Sequence, residues 1–341
     1  MIVGARRPST TTMRAALHEH WGSPLKIADV ARPEPAAGEV RIAVQATSVN
    51  PIDMHTGRNS GYEQSMRLPC IPGWDVAGVV DAVGYGVTRH AVGDRVYGLA
   101  WFPYPAGTYA EYLTVPAYHL VPMPKSASFT EAACLPMAAL TAWQMLDAVG
   151  ARTGQHVLIS GASGGVGHVA VQLAAARGAT VTALSRPDHH ATLHELGAHT
   201  CVDYTDQDAV TAIGKVDAAL DLVGFDFGAA LFDRVMPGGA IALSTAWSIN
   251  GYRDAAAERG IRVASCLVEP DPVALAAVAE LVDAGAVRAV VGAEFELSDA
   301  AEAQRWVENR RGFGKAAIIV NAPETHRHAS TSHAPGVEDR S

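Results

Sequence analysis

The sequence of 341 residues has few cysteines, few charged residues and few aromatic residues. Its four cysteines, Cys70, Cys134, Cys201 and Cys266, lie far apart with no Cys-x-x-Cys pair, which argues against a disulfide framework or a cysteine-rich zinc lobe. Charged residues make up 18% of the chain, with a net charge of −9 and no run of Lys or Arg longer than a pair. Such a surface does not attract nucleic acids or anionic membranes, so we expect neither as a partner.

Long hydrophobic runs are also lacking. No apolar stretch approaches the roughly 20 residues that cross a membrane, and the N-terminal residues contain no apolar signal-peptide segment. We therefore predict a cytoplasmic protein. Residues 1–12, and the polar residues 322–341 with their many Pro, Ser and His, are predicted to be disordered tails.

Between these tails the pattern predicts an α/β protein whose character changes near residue 135. Short β-like runs separated by turn residues fill 13–135, which is typical of a β-rich domain. A helix-like segment spans 129–150, and six apolar runs then alternate with helix-length segments up to residue 268. Because parallel neighbours need crossover connections, these runs predict a doubly wound parallel sheet of six strands. Two further helices, the first after Pro270 and the second with Ser298 as its N-cap, and a last strand follow within 269–321.

The first of the six runs leads into a glycine-rich turn that fits a dinucleotide-binding fingerprint, with Ala162 in its first glycine position. Gly164 would let the backbone approach a pyrophosphate, and Gly167 would let the next helix pack closely on the sheet. A strand before the turn and an amphipathic helix after it favour nucleotide binding over a plain glycine-rich turn. The predicted cofactor contacts of this turn are Ser163, Gly164, Gly165, Val166 and Gly167.

The end of the second run indicates which dinucleotide binds. NAD sites place an acidic residue about 20 positions beyond the glycines, where it binds the ribose 2′-hydroxyl. This chain has Ser185 and Arg186 there, and a hydroxyl with a guanidinium suits a 2′-phosphate, each charge-assisted hydrogen bond contributing about 1.5–3 kcal/mol. We therefore predict NADPH as the cofactor. The alternatives are a solvated surface Arg186 and an NADH site that uses Asp188.

Seven stretches along the chain carry a resemblance to a known family. In order they are "NPIDMHTG", "IPGWDVAGVVDAVGYGVTRHAVGDRVYG", "GTYAEY", "LPMAALTAWQML", "ISGASGGVG", "ELGAHTCVDY" and "FELSDAAEAQRWVENRRGFGKAAIIV". With them the chain from Met13 to Val320 resembles the zinc-independent, zeta-crystallin-like quinone oxidoreductases of the medium-chain dehydrogenase/reductase superfamily. The resemblance implies a GroES-like catalytic domain at 13–135 that is completed by 269–321, a Rossmann NADPH-binding domain at 136–268, and a homodimer.

The resemblance also implies that no metal takes part. Zinc-dependent members of the superfamily place Cys where Asn50 stands and His where Trp74 stands, and neither Asn nor Trp is a usual zinc ligand. Four nearby side chains are the other candidates for an improvised metal site, and their spacing in the sequence is not that of a known set of metal ligands. They are Asp53, His55, Cys70 and Asp75.

Without a metal to activate an alcohol, the expected reaction is reduction of a quinone or an activated enone by hydride from NADPH. By resemblance, Asn50 and Thr141 lie near the nicotinamide. The remaining residues that the resemblance places along the cofactor are Ser185, Arg186, His189, Tyr204, Val223 and Ser244.

Two residues are candidate proton donors. His55 stands where quinone reductases commonly have Tyr, and an imidazole can donate a proton or a hydrogen bond to the acceptor oxygen, although a hydrogen bond to the cofactor or the backbone is an equal alternative. Tyr62 lies close to the position of the acid in enoyl-thioester reductases, and the alternative is a loop aromatic that lines a pocket. Trp74, Trp101 and Phe102 are predicted to wall the substrate pocket, or to plug the gap between domains. The other functions left open are an enoyl-thioester reductase and a non-catalytic, crystallin-like NADPH-binding protein.

Overall fold

The computed structural model describes residues 11–224, 231–244, 249–309 and 312–321. Residues 1–10 and 322–341, which make up nearly all of the two predicted tails, lie outside the described residues. Residue Thr12 of the predicted N-terminal tail already belongs to the first strand. The domain boundaries proposed from the sequence stay predictions.

The N-terminal part of the chain forms a two-stranded antiparallel sheet and, together with two strands within 291–319, a mixed sheet. The two-stranded sheet consists of β1 (Thr12–Leu17) and β2 (Lys26–Ala31). The mixed sheet has seven described strands: β3 (Glu39–Ser48), β4 (Asp75–Val83), β5 (Arg95–Leu99), β6 (Tyr112–Pro116), β7 (Leu120–Pro122), β14 (Val291–Glu296) and β15 (Lys315–Ile319). Their order is β14-β15-β3-β4-β5-β7, with β6 also paired to β3.

The register of this sheet brings three strand ends together. Ala317 of β15 pairs with Ser48 at the end of β3, and Val49 donates its backbone N–H to Ala316 O at 3.0 Å. On the other side of β3, Ala46 pairs with Ala77 near the start of β4. The start of β15, the end of β3 and the start of β4 therefore meet at one edge, although they are far apart in the sequence.

Six parallel strands form a further sheet: β8 (His156–Ile159), β9 (Thr180–Ser185), β10 (Thr200–Asp203), β11 (Val216–Asp221), β12 (Val235–Leu243) and β13 (Arg262–Ser265). Their order across the sheet is β10-β9-β8-β11-β12-β13, which confirms the doubly wound six-stranded parallel sheet predicted from the apolar runs. The strand order reverses between β8 and β11, and ligands of such sheets bind outside the carboxyl ends of the strands at that point.

Helices cover the parallel sheet and join it to the mixed sheet. Helix α3 packs against β4 and β5 of one sheet and against β11 and β12 of the other, so the largest core lies between the sheets. No helix in the described part of the chain is long and apolar enough to cross a membrane. The helices are α1 (Pro51–Gly57), α2 (Phe129–Ala133), α3 (Pro136–Val149), α4 (Gly167–Ala176), α5 (His190–Glu195), α6 (Gln207–Ala212), α7 (Ile249–Glu258), α8 (Pro272–Asp283) and α9 (Ala300–Glu308).

Two glutamine side chains fasten the helices to the chain that returns to the mixed sheet. Gln144 of α3 donates to Glu269 O at 2.8 Å and accepts from Glu269 N at 3.0 Å. Gln172 of α4 makes the same pair of bonds with the backbone of Arg288, at 2.9 and 2.8 Å. Each side-chain amide both donates to and accepts from the backbone of a single residue. These bonds therefore hold α3 against Glu269 and α4 against Arg288.

Candidate active site and cofactor cleft

Buried polar side chains occupy the edge where β3, β4 and β15 meet. We call Ser48, Asn50, Asp75 and Lys315 the polar cluster; none is more than 4% exposed. Oxygen Oδ2 of Asp75 accepts hydrogen bonds from Ser48 Oγ at 2.5 Å and from Asn50 Nδ2 at 2.8 Å. The Lys315 ammonium donates to Asn50 Oδ1 at 2.6 Å and lies 3.4 Å from Asp75 Oδ2. Each charge is thereby paired and hydrogen-bonded, as a buried charge must be.

The polar cluster also reaches helix α3. Oxygen Oδ1 of Asp75 accepts the backbone N–H of Met137 at 2.7 Å, in the first turn of the helix. In the next turn, Thr141 donates its hydroxyl to Met137 O at 2.6 Å and is 8% exposed. The structure therefore links Asn50 and Thr141, the two residues predicted beside the nicotinamide, through Asp75 and the start of α3. Lys315 is not among the site residues predicted from the sequence.

A second buried carboxyl, Asp53, lies beside the polar cluster on α1. Its Oδ2 accepts the backbone N–H of Asn50 at 2.9 Å and the Tyr109 hydroxyl at 3.0 Å. Its Oδ1 is buried and has no hydrogen-bond partner within the described ranges. Burial raises the pKa of Asp53 to about 7, and the negative charge of Asp75 adds to this effect.

Three aromatic rings pack edge to face next to this region, and we call Tyr62, Trp74 and Phe102 the aromatic cluster. Tyr62 and Phe102 have ring centroids 5.3 Å apart, as do Trp74 and Phe102. Trp74 is fully buried and donates its indole N–H to Tyr104 O at 2.8 Å, while Tyr62 is half-buried. Burial raises the pKa of the Tyr62 phenol, so it keeps its proton at neutral pH.

Two predicted site residues lie outside the aromatic cluster. His55 is exposed on α1, and its backbone oxygen accepts bonds from Ser60. Trp101, next to Phe102 in sequence, packs into a different core and donates its indole N–H to Thr114 O at 2.9 Å. It lines a separate cavity of about 430 Å³ that none of the other predicted site residues lines.

The glycine loop, residues 161–167 between β8 and α4, has the close backbone packing that a phosphate-binding turn needs. A Cβ on Gly167 would clash with Gly161 O and lie 2.7 Å from Ala162 Cα, so only glycine fits there. Gly161 has a φ of 60°, which also favours glycine. The loop leads into the ten-residue helix α4, in whose first turn His168 donates its backbone N–H to Gly164 O at 3.1 Å, and the positive end of a helix dipole at such a turn favours an anion. This cradle fits the pyrophosphate of a dinucleotide.

The other predicted cofactor residues follow the carboxyl ends of neighbouring parallel strands. Ser185 ends β9 and Arg186 follows it, while Tyr204 follows the adjacent β10, whose Asp203 pairs with Ser185. Val223 and Ser244 follow β11 and β12. Since these ends share one edge of the sheet, the structure brings the residues to the crevice side where nucleotides bind. His189 lies in the turn after Arg186, and burial together with that guanidinium lowers its pKa.

Two residues that the sequence analysis missed organise this edge. Asp221 is fully buried, and its Oδ1 accepts bonds from Ser160 Oγ at 2.9 Å and from the backbone N–H of Val223 and Gly224 at 3.0 Å. His168 is also fully buried, and it joins the glycine loop to Val290, the residue before β14. The available signal was weak, because a lone Asp at a strand end or a lone His in an apolar helix is more often structural.

The contacts of His168 determine its protonation. Val290 donates its backbone N–H to Nε2 at 3.1 Å, so Nδ1 carries the proton and donates it to Gly164 O at 2.9 Å. Burial lowers the pKa of His168 to about 4, and this side chain is therefore neutral at physiological pH. A neutral ring keeps the glycine loop in place without adding charge.

No group of three His, Cys, Asp or Glu side chains in the described ranges is arranged to hold a metal ion. The improvised set considered from the sequence does not converge. Asp75 binds Ser48, Asn50 and Lys315, whereas Cys70 pairs through its backbone with His18 in an isolated β-bridge.

Comparison with known proteins places the chain in a family. Two family models match the chain: "Alcohol dehydrogenase GroES-like domain" over residues 36–125 and "Zinc-binding dehydrogenase" over residues 196–318. A mitochondrial NAD(P)H oxidoreductase of Mus musculus is 33% identical over 327 residues, covering 83% of this chain and 81% of the relative. A 2-methylene-furan-3-one reductase of Solanum lycopersicum is 32% identical over 319 residues, covering 90% and 79%. The solved quinone oxidoreductase from Coxiella burnetii has a TM-score of 0.87 at 33% identity, covering 91% of this chain and all of that one.

The mixed sheet, the parallel sheet and the glycine loop together define an oxidoreductase with a GroES-like part and a Rossmann part. The chain belongs to the medium-chain dehydrogenase/reductase superfamily, in its quinone oxidoreductase group, as the sequence motifs predicted.

Proposed function

We propose that the protein uses NADPH to reduce a quinone or an activated enone, without a metal. The observation that carries this proposal is the contact between the glycine loop and the polar cluster. Gly314 donates its backbone N–H to Ser163 O at 2.9 Å, and a Cβ on Gly165 would lie only 2.9 Å from Lys315 Cγ. The predicted pyrophosphate site and Asn50, the predicted neighbour of the nicotinamide, thus adjoin across one lysine.

The residues at the far end of the crevice support NADPH over NADH. The position where an NAD site has its acidic residue carries Ser185 and Arg186, with Tyr204 after the neighbouring strand. A guanidinium and two hydroxyl groups match the charge and hydrogen-bond acceptors of a 2′-phosphate.

When bound, NADPH supplies a hydride, and with one proton an enone becomes a saturated ketone and a quinone becomes a hydroquinone. Asn50 has a fixed amide, because its Oδ1 accepts from Lys315 and its Nδ2 donates to Asp75. Tyr62, protonated and half-buried beside Phe102, is one candidate proton donor; exposed His55 is the other. The aromatic cluster offers a planar substrate ring surfaces and edges to pack against.

The donor set argues for metal-free chemistry. Asn50 and Trp74 are not usual zinc ligands, and Trp74 already uses its only polar atom on Tyr104 O. The Lys315 ammonium provides positive charge beside Asp75, which would repel a divalent ion.

The test measures NADPH oxidation by the purified protein against ortho- and para-quinones, enones and enoyl thioesters, with metal analysis of the same sample. We expect turnover of quinones or enones and less than stoichiometric zinc. Turnover that requires zinc, or binding of NADPH without turnover of any acceptor, would contradict the proposal. The second result would favour the non-catalytic, crystallin-like alternative.

Cofactor choice is tested with Arg186→Ala. Loss of one charge-assisted bond of about 1.5–3 kcal/mol should weaken NADPH binding about ten- to hundredfold and leave NADH binding nearly unchanged. The matched control is Arg89→Ala, which removes an exposed arginine of the loop between β4 and β5. Equal losses for NADPH and NADH would reject the assignment.

An enoyl-thioester reductase is the second candidate, favoured by the protonated Tyr62 beside two aromatic rings. Tyr62→Phe keeps the ring and removes only the hydroxyl. If Tyr62 is the acid, this variant should lose about 10²–10⁴-fold in kcat with enoyl thioesters. An unchanged kcat would leave Tyr62 as a pocket wall and transfer the proton to His55 or solvent.

The homodimer and the cytoplasmic location also remain proposals. They rest on the superfamily resemblance and on the apolar patterning of the sequence, and sedimentation of the purified protein tests the first.

A further inference from the structure

Lys315 makes contacts in two directions that no other described residue of the site combines. Its ammonium lies at the polar cluster, where it donates to Asn50 Oδ1 at 2.6 Å and to Val49 O at 3.3 Å. Its aliphatic stem lies against the glycine loop, where a Cβ on Gly165 would come within 2.9 Å of Cγ and 3.5 Å of Cδ. Lys315 is 4% exposed, so both contacts are buried from solvent.

The backbone next to Lys315 is held to the same loop. Gly314 donates its N–H to Ser163 O at 2.9 Å, and Lys315 donates its own N–H to Val290 O at 2.9 Å. A shift of the glycine loop must therefore move the start of β15 or break the bond between Gly314 and Ser163. Close-packed contacts of this kind transmit a displacement rather than absorb it.

The contacts of Lys315 connect the glycine loop with the Asn50 amide. Its oxygen faces the Lys315 cation and its nitrogen faces the Asp75 carboxylate, so rotation by half a turn would place like polarities together. Without the ammonium, the amide oxygen loses its shortest bond and the orientation is no longer determined.

We infer that Lys315 is a positioning residue that couples occupation of the glycine loop to the orientation of the Asn50 amide. A displacement of the loop on binding at the pyrophosphate end then moves the ammonium, and the Asn50 amide that it already holds moves with it before any group occupies the nicotinamide end. The inference rests on the proposed function, since it assumes that the loop binds a dinucleotide. Lys315 acts through Asn50 and not on the substrate itself.

Nuclear magnetic resonance of the Asn side chains tests this directly and does not depend on turnover. The sequence has five asparagines, so protein labelled with [¹⁵N]Asn gives few side-chain amide pairs, and Asn50→Ser assigns the pair of interest. The probe is 2′-phospho-ADP-ribose, which has the pyrophosphate but no nicotinamide. We expect it to shift the Asn50 amide pair in the wild-type protein.

Lys315→Met alone leaves the buried Asp75 carboxylate without its partner, so the decisive variant is Lys315→Met with Asp75→Asn, which removes both charges. This variant has one asparagine more than the wild type, so Asn50→Ser in the same background assigns the Asn50 pair. At a probe concentration that calorimetry shows to be saturating, the probe should cause no shift of the Asn50 amide. Lys26→Met, which removes a surface ion pair with Glu19, is the matched control and should keep the shift.

The outcomes separate the two proposals. Binding of the probe to the wild-type protein without a shift at Asn50, or a shift that persists in the double variant, would overturn the coupling and leave the proposed function intact. Failure of both the probe and NADPH to bind the wild-type protein would overturn the proposed function and the coupling together.

Discussion

Asp53→Asn should change how the stability of the protein depends on pH. The wild-type carboxyl is fully buried, and burial raises its pKa from 3.8 to about 7. In the unfolded chain the group ionises near pH 4, whereas in the folded protein it keeps its proton until about pH 7. Unfolding therefore releases a proton between these values, and the free energy of unfolding falls as pH rises through this window.

The size of the effect follows from the pKa difference. A slope of about 1.4 kcal/mol per pH unit, flattening near pH 7, gives a loss of about 2–3 kcal/mol between pH 5 and pH 8. Asparagine does not titrate, but its oxygen can still accept from Asn50 N and the Tyr109 hydroxyl, the two bonds that Asp53 Oδ2 accepts. The variant should therefore gain stability relative to the wild type by about that amount over the same range.

Urea unfolding at several pH values measures this difference through the free energy of unfolding in water. Asp29→Asn, at an exposed carboxylate of β2, is the control, and its difference from the wild type should not change with pH. A flat difference for Asp53→Asn would show that Asp53 is already ionised in the folded protein. The account of its burial and of its unpartnered Oδ1 would then be wrong.

Two further substitutions test the packing of the site. Gly167→Ala should weaken NADPH binding more than about tenfold, because the added Cβ clashes with Gly161 O. Gly214→Ala, where a Cβ meets nothing within 4 Å, is the control. Equal Kd values by calorimetry for the two variants would contradict the proposal that the glycine loop binds the pyrophosphate. Trp74→Ala should lower the free energy of unfolding by about 3–5 kcal/mol, because it empties a fully buried site, whereas Tyr85→Ala at a 91% exposed ring should change it by less than about 0.5 kcal/mol.

Local patterns in the sequence were enough to predict the parallel sheet and the glycine loop. Each strand of that sheet is a short apolar run next to turn residues, and each crossover has the length of a helix. The fingerprint lies within a few consecutive residues, so its context of strand, turn and helix was readable before any contact was known. One local signal was overlooked: the helix-like segment 129–150 is two helices, because Pro136 begins a new helix after Leu135.

Tertiary structure alone decided the polar cluster. Lys315 is 265 residues from Asn50 and 240 from Asp75, and nothing in the sequence pairs a lysine at the start of a late strand with those two residues. The backbone conformation at Trp101 also separates two neighbouring aromatic residues. Trp101 has a φ of 55° and packs into a different core from Phe102, the next residue in the chain. Periodicity determines which elements form, because it acts between near neighbours; which side chains share a site depends on sheet register, and only the folded chain sets that register.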